Sequence, residues 1–133
     1  MSDAESLKAV VREYYARLDR EDVEGALAVI SPDLEWRFSG VPVTIESLPD
    51  NIKSFHDAFP ESSHRIERQT VEGEWVTTLL TFSGVHSGEF MGVAPTGRRV
   101  EVQGINMHQV SGGKIVGGDS VVDMLSLLQQ IGG

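Results

Sequence analysis

The chain has 133 residues and no cysteine. That excludes a disulfide framework, a thiolate metal site and a cysteine nucleophile. No apolar run approaches the roughly 20 residues that a membrane-spanning helix needs. Cations are scarce: 11 Lys and Arg stand against 20 Asp and Glu, a formal charge of −9. Such a balance argues against nucleic acid and anionic membranes as partners. It identifies no partner of its own, because acidic surfaces commonly serve solubility. A Gly-rich phosphate loop, a His/Asp/Glu metal spacing and a G-x-S-x-G elbow are also missing. The opening Met1-Ser2-Asp3-Ala4-Glu5-Ser6 is acidic and polar, unlike a secretory signal. The expected location is therefore cytoplasmic.

What is present is one domain, residues 1–133, long enough to bury a core. Forty per cent hydrophobic and 23% charged residues are ordinary for a globular chain. Residues 6–19 read as a helix, because Leu7, Val10, Val11, Tyr14, Tyr15 and Leu18 recur at three- and four-residue spacing. Ser2 or Ser6 can cap it. A short helix follows from Val23 to Ile30 with Asp22 as its N-cap, and Ser31-Pro32-Asp33 stops it. Leu34 to Phe38 alternates as a strand, and Ser39 to Val43 reads as a loop. Ile45 to Phe59 is a third helix with Ile52, Phe55, His56 and Phe59 on its apolar stripe; Pro49 limits where it starts. The second half is almost all strand: His64–Glu72, Trp75–His86, Val100–Val110 and Lys114–Val122. Met124 to Ile131 is a short helix or docking segment. Helices followed by long antiparallel strands give an α+β order. A curved antiparallel sheet wrapped over the N-terminal helices would make a cone with an internal pocket.

The most distinctive stretch runs from Gly84 to Arg99: Gly-Val-His-Ser-Gly-Glu-Phe-Met-Gly-Val-Ala-Pro-Thr-Gly-Arg-Arg. A connection this long costs ordering entropy and usually shapes something. It resembles the G-x-H-x-G-x-[FL]-x-G-x-x-P-T-[GD]-[RK] pattern of SnoaL-like polyketide cyclases, a branch of the nuclear transport factor 2-like fold. Phe55-His56-Asp57-Ala58-Phe59-Pro60 is similar to their F-x-x-A-F-P helix end. Ser111-Gly112-Gly113-Lys114-Ile115 resembles their D-G-K-I hairpin, and Leu127 to Gly132 their L-L-x-Q-L-G ending. The resemblance implies the cone fold, a homodimer or homotetramer, and aldol ring closure of a polyketide ester by a pocket Asp, without metal or organic cofactor.

Several positions depart from that family. Ungapped alignment on the Gly113-Lys114-Ile115 turn puts the family's acid/base Asp at Ser120. A pocket His falls on Asn106, a pocket Gln on Gly104 and a substrate-contacting Asn on Trp36. A serine needs another base beside it to act as one. Asp119 is a replacement if Gly117-Gly118 forms a bulge that re-aims it; otherwise it is a solvent-facing strand carboxylate. Asp123 either reaches ligand or caps the last helix. His108 shares parity with Asn106, and is either a proton acceptor in the cavity or a half-buried His paired with a neighbouring strand. His86 either contacts ligand or fixes the loop. Tyr14 is core or a phenol donor to an enolate.

Trp36, Phe38, Phe55, Phe59, Leu80, Phe82, Phe90 and Met91 are the candidates to line an apolar pocket, with core packing as the alternative. Phe90 and Met91 are expected at its mouth. The expected activity is acid/base ring closure, or a related rearrangement, of a polyketide-like, apolar and oxygenated substrate by Asp119 or Ser120 with Asn106 and His108. The rivals are a non-catalytic binding protein, and a hydrolase, isomerase or hydroxylase using the same cavity.

Overall fold

The computed structural model describes residues 3–132. Helix α1 spans Asp3–Asp19 and buries Val11, Tyr14, Tyr15 and Leu18, the stripe its spacing predicts. Ser6 lies inside the helix and does not cap it; Ser2 lies outside the described residues. Helix α2 is Val23–Leu27, and the Asp22 carboxylate accepts from the Gly25 amide at 2.9 Å. It stops short of Ile30, which opens strand β1, Ile30–Phe38. Ser31-Pro32-Asp33 therefore lies within that strand, where the ladder is interrupted between Ile30 and Glu35. Proline has no amide hydrogen to contribute to a ladder, so the interruption falls where it stands.

Strand β2, Val41–Val43, occupies what the sequence presents as loop. Ser39 and Gly40 both have positive φ, 50° and 83°, and Phe38 pairs with Val41. That is the geometry of a two-residue primed hairpin. Helix α3, Leu48–Ala58, begins with Pro49 in its first turn, where a missing amide hydrogen costs nothing. The long strands are β3 (Ser63–Glu72), β4 (Trp75–Val85), β5 (Arg99–Ser111) and β6 (Lys114–Val122), and helix α4 is Met124–Gly132. They form one six-stranded sheet in the order β2-β1-β6-β5-β4-β3. Four of its five junctions are antiparallel, as expected; β1 against β6 is parallel. Extra residues in β1, β3 and β6 interrupt the ladders, and such bulges bend a sheet. None of the described helices is long and apolar enough to cross a membrane.

Burial alternates along β5: Val100, Val102, Gly104, Asn106, His108 and Val110 face inward and are buried, while Glu101, Ile105 and Met107 are exposed. The concave face so defined carries the core, covered by α1, α3 and α4. Residues 86–98 connect β4 to β5 and are pinned at their base by His86. Its amide donates to the Arg98 carbonyl at 2.8 Å, its own carbonyl accepts from Gly97 at 2.8 Å, and its ring Nδ1 accepts from the Thr96 amide at 3.2 Å. Gly88 lets the loop touch the end of α3; a Cβ there would lie 2.2 Å from the Asp57 carbonyl oxygen. Phe90 and Val93 exchange backbone hydrogen bonds around Met91 and Gly92, both at positive φ. This turn sends Phe90 inward onto Phe55 and Phe59, and leaves Met91 outside.

Gly118 pairs with Trp36 on one side and with His108 on the other. Because it has no side chain, the two rings meet across it, edge-on, with centroids 4.8 Å apart. A Cβ at Gly118 would lie 2.2 Å from the Met107 carbonyl oxygen, a backbone atom. Gly118→Ala is therefore expected to destabilise by about 2 kcal/mol or more, or to prevent folding, read by urea denaturation. His108 is fully buried, and neither ring nitrogen has a hydrogen-bond partner among the described residues. Burial lowers its pKa from 6.5 to about 4, so it stays neutral in the folded protein while the unfolded chain takes up the proton. Its contribution is complete above pH 6.5 and is lost as pH falls toward 4. Wild type is expected to lose on the order of 3 kcal/mol across that window from this group; urea titrations of His108→Leu should show a correspondingly shallower slope.

Candidate functional site

Between the concave face and the helices lies a cavity of about 280 Å³. Its wall is mostly apolar: Leu18, Trp36, Phe38, Val43, Leu48, Ile52, Phe55, Leu80, Phe82, Val102, Val122 and Leu127. The polar groups that reach it include Tyr14 and Tyr15 from α1, Asn51 and His56 from α3, Ser62 and His64 around the start of β3, and Asn106 from β5. Among the described residues, no group of three or more His, Cys, Asp or Glu side chains is placed to hold a metal ion.

The residues singled out from the sequence divide into three sets. Tyr14, Trp36, Phe38, Phe55, Leu80, Phe82 and Asn106 line the cavity. His108 and Ser120 face inward but lie behind its wall. The Trp36 indole N–H donates to the Ser120 hydroxyl at 2.8 Å, and the same indole packs on His108. Trp36 thus closes the end of the cavity from which either residue would act. His108, with no partner on any strand and no opening to the cavity, matches neither expectation for it.

The third set lies outside the cavity. Asp119 is on the outer face, half exposed, and accepts from Arg37 Nε at 2.9 Å. The irregularity in β6 is the extra residue Val116, before the glycines; from Gly117 through Asp119 both ladders run without a shift, and Asp119 stays on the face opposite Ser120. Gly117 and Gly118 serve close backbone approach, the first against the Glu35 carbonyl and the second against that of Met107. Asp123 caps α4, its carboxylate accepting from the Ser126 amide at 3.0 Å. His86 fixes the loop, and Phe59 and Phe90 pack beneath that loop rather than along the cavity. Met91 is 66% exposed at the loop tip. A loop residue at positive φ before a glycine points away from the turn's packed side, so apolar character alone misplaced it.

One arrangement goes unseen in the sequence. Asp19, the last residue of α1, accepts two hydrogen bonds from His64, the second residue of β3. One comes from the backbone amide at 2.8 Å and one from ring Nδ1 at 2.7 Å. The pair is 45 positions apart, which is why no local pattern reveals it. With Nδ1 carrying the proton to the carboxylate, Nε2 holds the lone pair. Nε2 has no hydrogen-bond partner among the described residues, and His64 lines the cavity. The Tyr15 ring lies 4.8 Å from the imidazole, centroid to centroid. Burial above all, then the neighbouring Tyr14 and Asp19, push the Tyr15 pKa well up, against a hydrogen bond from the Asn106 side chain. Burial also raises that of Tyr14. Both phenols therefore keep their protons and can act as donors.

Among solved structures, the chain is similar to AclR, a candidate hydroxylase from Streptomyces galilaeus. Identity is 28%, coverage is 98% of both chains, and the TM-score is 0.90. It is also similar to IdmH, a candidate polyketide cyclase from Streptomyces antibioticus, at 27% identity over 96% of this chain and 99% of that one, TM-score 0.84. A candidate SnoaL-like polyketide cyclase from a Jannaschia species shares the fold at 21% identity over 98% and 95%, TM-score 0.88. Comparison with curated proteins gives no match. A family profile described as SnoaL-like polyketide cyclase matches residues 8–131. With that match over nearly its whole length, the chain belongs to the SnoaL-like polyketide cyclase family.

Proposed function

We propose that the protein is a small-molecule enzyme that binds a polyketide-like, apolar and oxygenated substrate in this cavity and closes a ring in it by proton transfer. The observation that carries the reading is the asymmetry of the wall. A long apolar surface can hold a flat hydrocarbon frame, while Tyr15, Asn106 and His64 gather where a carbonyl oxygen and an acidic carbon would need a donor and an acceptor. Family membership and the likeness to IdmH support the substrate class. Aldol closure is an isomerisation, so the needed groups are side-chain acids and bases, and no cofactor enters the proposed step. The likeness to AclR favours a second reading, hydroxylation in the same cavity.

Mass separates the two. Incubated with a partly cyclised aromatic polyketide ester and followed by liquid chromatography and mass spectrometry, the protein is expected to yield a product of unchanged mass. Gain of one oxygen would instead establish the hydroxylase reading, and binding without turnover a binding protein. Binding itself is read from Trp36, which lines the cavity, whereas Trp75 is on the outer face. A hydroxylated naphthalene is expected to quench Trp36 emission saturably. Val102→Phe, which fills the cavity, should weaken that binding by about tenfold or more while costing about 1–3 kcal/mol of stability.

The protein is also proposed to be a homodimer through the outer face of the sheet. Ile105 and Met107 on β5, Val121 on β6 and Trp75 on β4 are exposed there, and Ile105 is directly opposite Val121. Lysine at both positions 105 and 107 is expected to give a monomer in light scattering coupled to size exclusion.

A further inference from the structure

We infer that His64 is the general base of this cavity, with Asp19 as its positioning residue and the Tyr15 phenol as the donor to the oxygen that gains charge. The assignment rests on the reading of the cavity as an acid–base site and moves its chemistry to residues that the family pattern does not point to. Four observations carry it.

The imidazole is oriented: Asp19 takes the Nδ1 hydrogen at 2.7 Å and the His64 amide hydrogen at 2.8 Å, so ring and backbone are held by one carboxylate. Its other nitrogen is unengaged, and the residue is on the cavity wall. A donor stands beside it, because the Tyr15 ring is 4.8 Å away and Tyr15 also lines the cavity. The groups the family pattern points to are closed off: Ser120 is bonded to Trp36, His108 is behind it, and Asp119 is outside. His56 also reaches the cavity, but among the described residues no carboxylate is hydrogen-bonded to its ring. A purely structural tie between α1 and β3 would be served by the backbone amide alone. The ring hydrogen bond adds a fixed tautomer, which such a tie does not need.

Nε2 removes a proton from carbon alpha to a carbonyl, and the C–H electron pair becomes an enolate whose oxygen accepts from Tyr15. The enolate carbon attacks a second carbonyl of the same molecule, forming one C–C bond. The imidazolium returns its proton to the alkoxide so produced. No atom is gained or lost, and no oxidant is used.

The test uses nitrobenzisoxazole, a small flat carbon acid that reports any oriented base in an apolar cavity. Nε2 takes the ring C–H proton, a C≡N bond forms as the N–O bond breaks, and a coloured cyanonitrophenolate leaves, its oxygen accepting from Tyr15. The full-length protein is expected to turn the probe over with saturation kinetics. His64→Asn keeps a donor toward Asp19 and removes the base, and should lower kcat by about 100-fold or more. Asp19→Asn should lower kcat by about tenfold or more with KM unchanged. Circular dichroism melts show that each variant is folded, and His108→Leu and Asp119→Asn serve as controls with unaltered turnover. Should His64→Asn fail to fold, the kcat effect of Asp19→Asn and that of Tyr15→Phe decide. Probe that quenches Trp36 but is turned over equally by wild type and the variants overturns the assignment and leaves the cavity reading standing. Probe that neither binds nor reacts overturns both.

Discussion

Gly118 sets the layout of the inner face. Neighbouring strands are about 4.8 Å apart, so side chains on β1 and β5, with β6 between them, would ordinarily be separated by whatever β6 carries. Here β6 carries nothing at that point, and the Trp36 and His108 rings meet over it. Once the indole lies in that direction, its N–H must find a partner or remain unpaired in the core, at a cost of about 1–3 kcal/mol. Ser120, two residues along β6 on the same face, supplies it. The ring contact and the hydrogen bond together hold Trp36 across the floor of the cavity, with His108 and Ser120 beneath it and outside the wall.

The consequence is which residues face the cavity. The family resemblance leads one to expect a catalytic carboxylate at the place of Ser120, and a buried carboxylate against the Trp36 indole and the apolar wall would have to be desolvated. A serine oxygen accepts the indole hydrogen without charge. What the floor loses in chemistry, the opposite side holds: Tyr15 and the α1 terminus, the first residues of β3, and Asn106 on β5. Tyr15 and His64 come from elements far apart in sequence, and they are adjacent because α1 lies along the start of the β3–β4 ladder.

How much of this the sequence reveals depends on the range of each interaction. The 3.6-residue stripe of α1, the period-two burial of β5 and the caps at Asp22 and Asp123 are local rules, and the structure follows them. The Ser39-Gly40 hairpin and the strand position of Pro32 escaped because turn type and ladder interruptions are settled by the pairing partner, which sequence does not name. Asp119 is the instructive failure. The Gly-Gly pair before it was legible as an irregularity, but the extra residue is Val116, and the glycines answer to the Glu35 and Met107 carbonyls on two other strands; from Gly117 on the pairing is regular and leaves Asp119 outside. The loop from His86 to Arg98 points correctly to the family but not to a cavity mouth at Phe90 and Met91. Its motif residues are those that dock it onto α3, so the match reports scaffold rather than chemistry.

Asp19 is a different kind of residue, because its position is unfavourable for local reasons. It ends a helix of 17 residues, where the unpaired carbonyls give a partial negative charge that repels a carboxylate. A carboxylate held there needs strong donors, and the nearest structure that can supply two at once is a histidine entering a strand, through its amide and its ring. Satisfying the helix end therefore fixes the imidazole in one tautomer, with its lone pair directed away from the carboxylate. An electrostatic requirement of the fold and the orientation of the ring are thus met by the same pair of hydrogen bonds. A lysine or arginine would neutralise Asp19 as well, yet neither has a lone pair to offer at neutral pH. The choice of histidine is the part that helix stability leaves unexplained and that proton transfer explains.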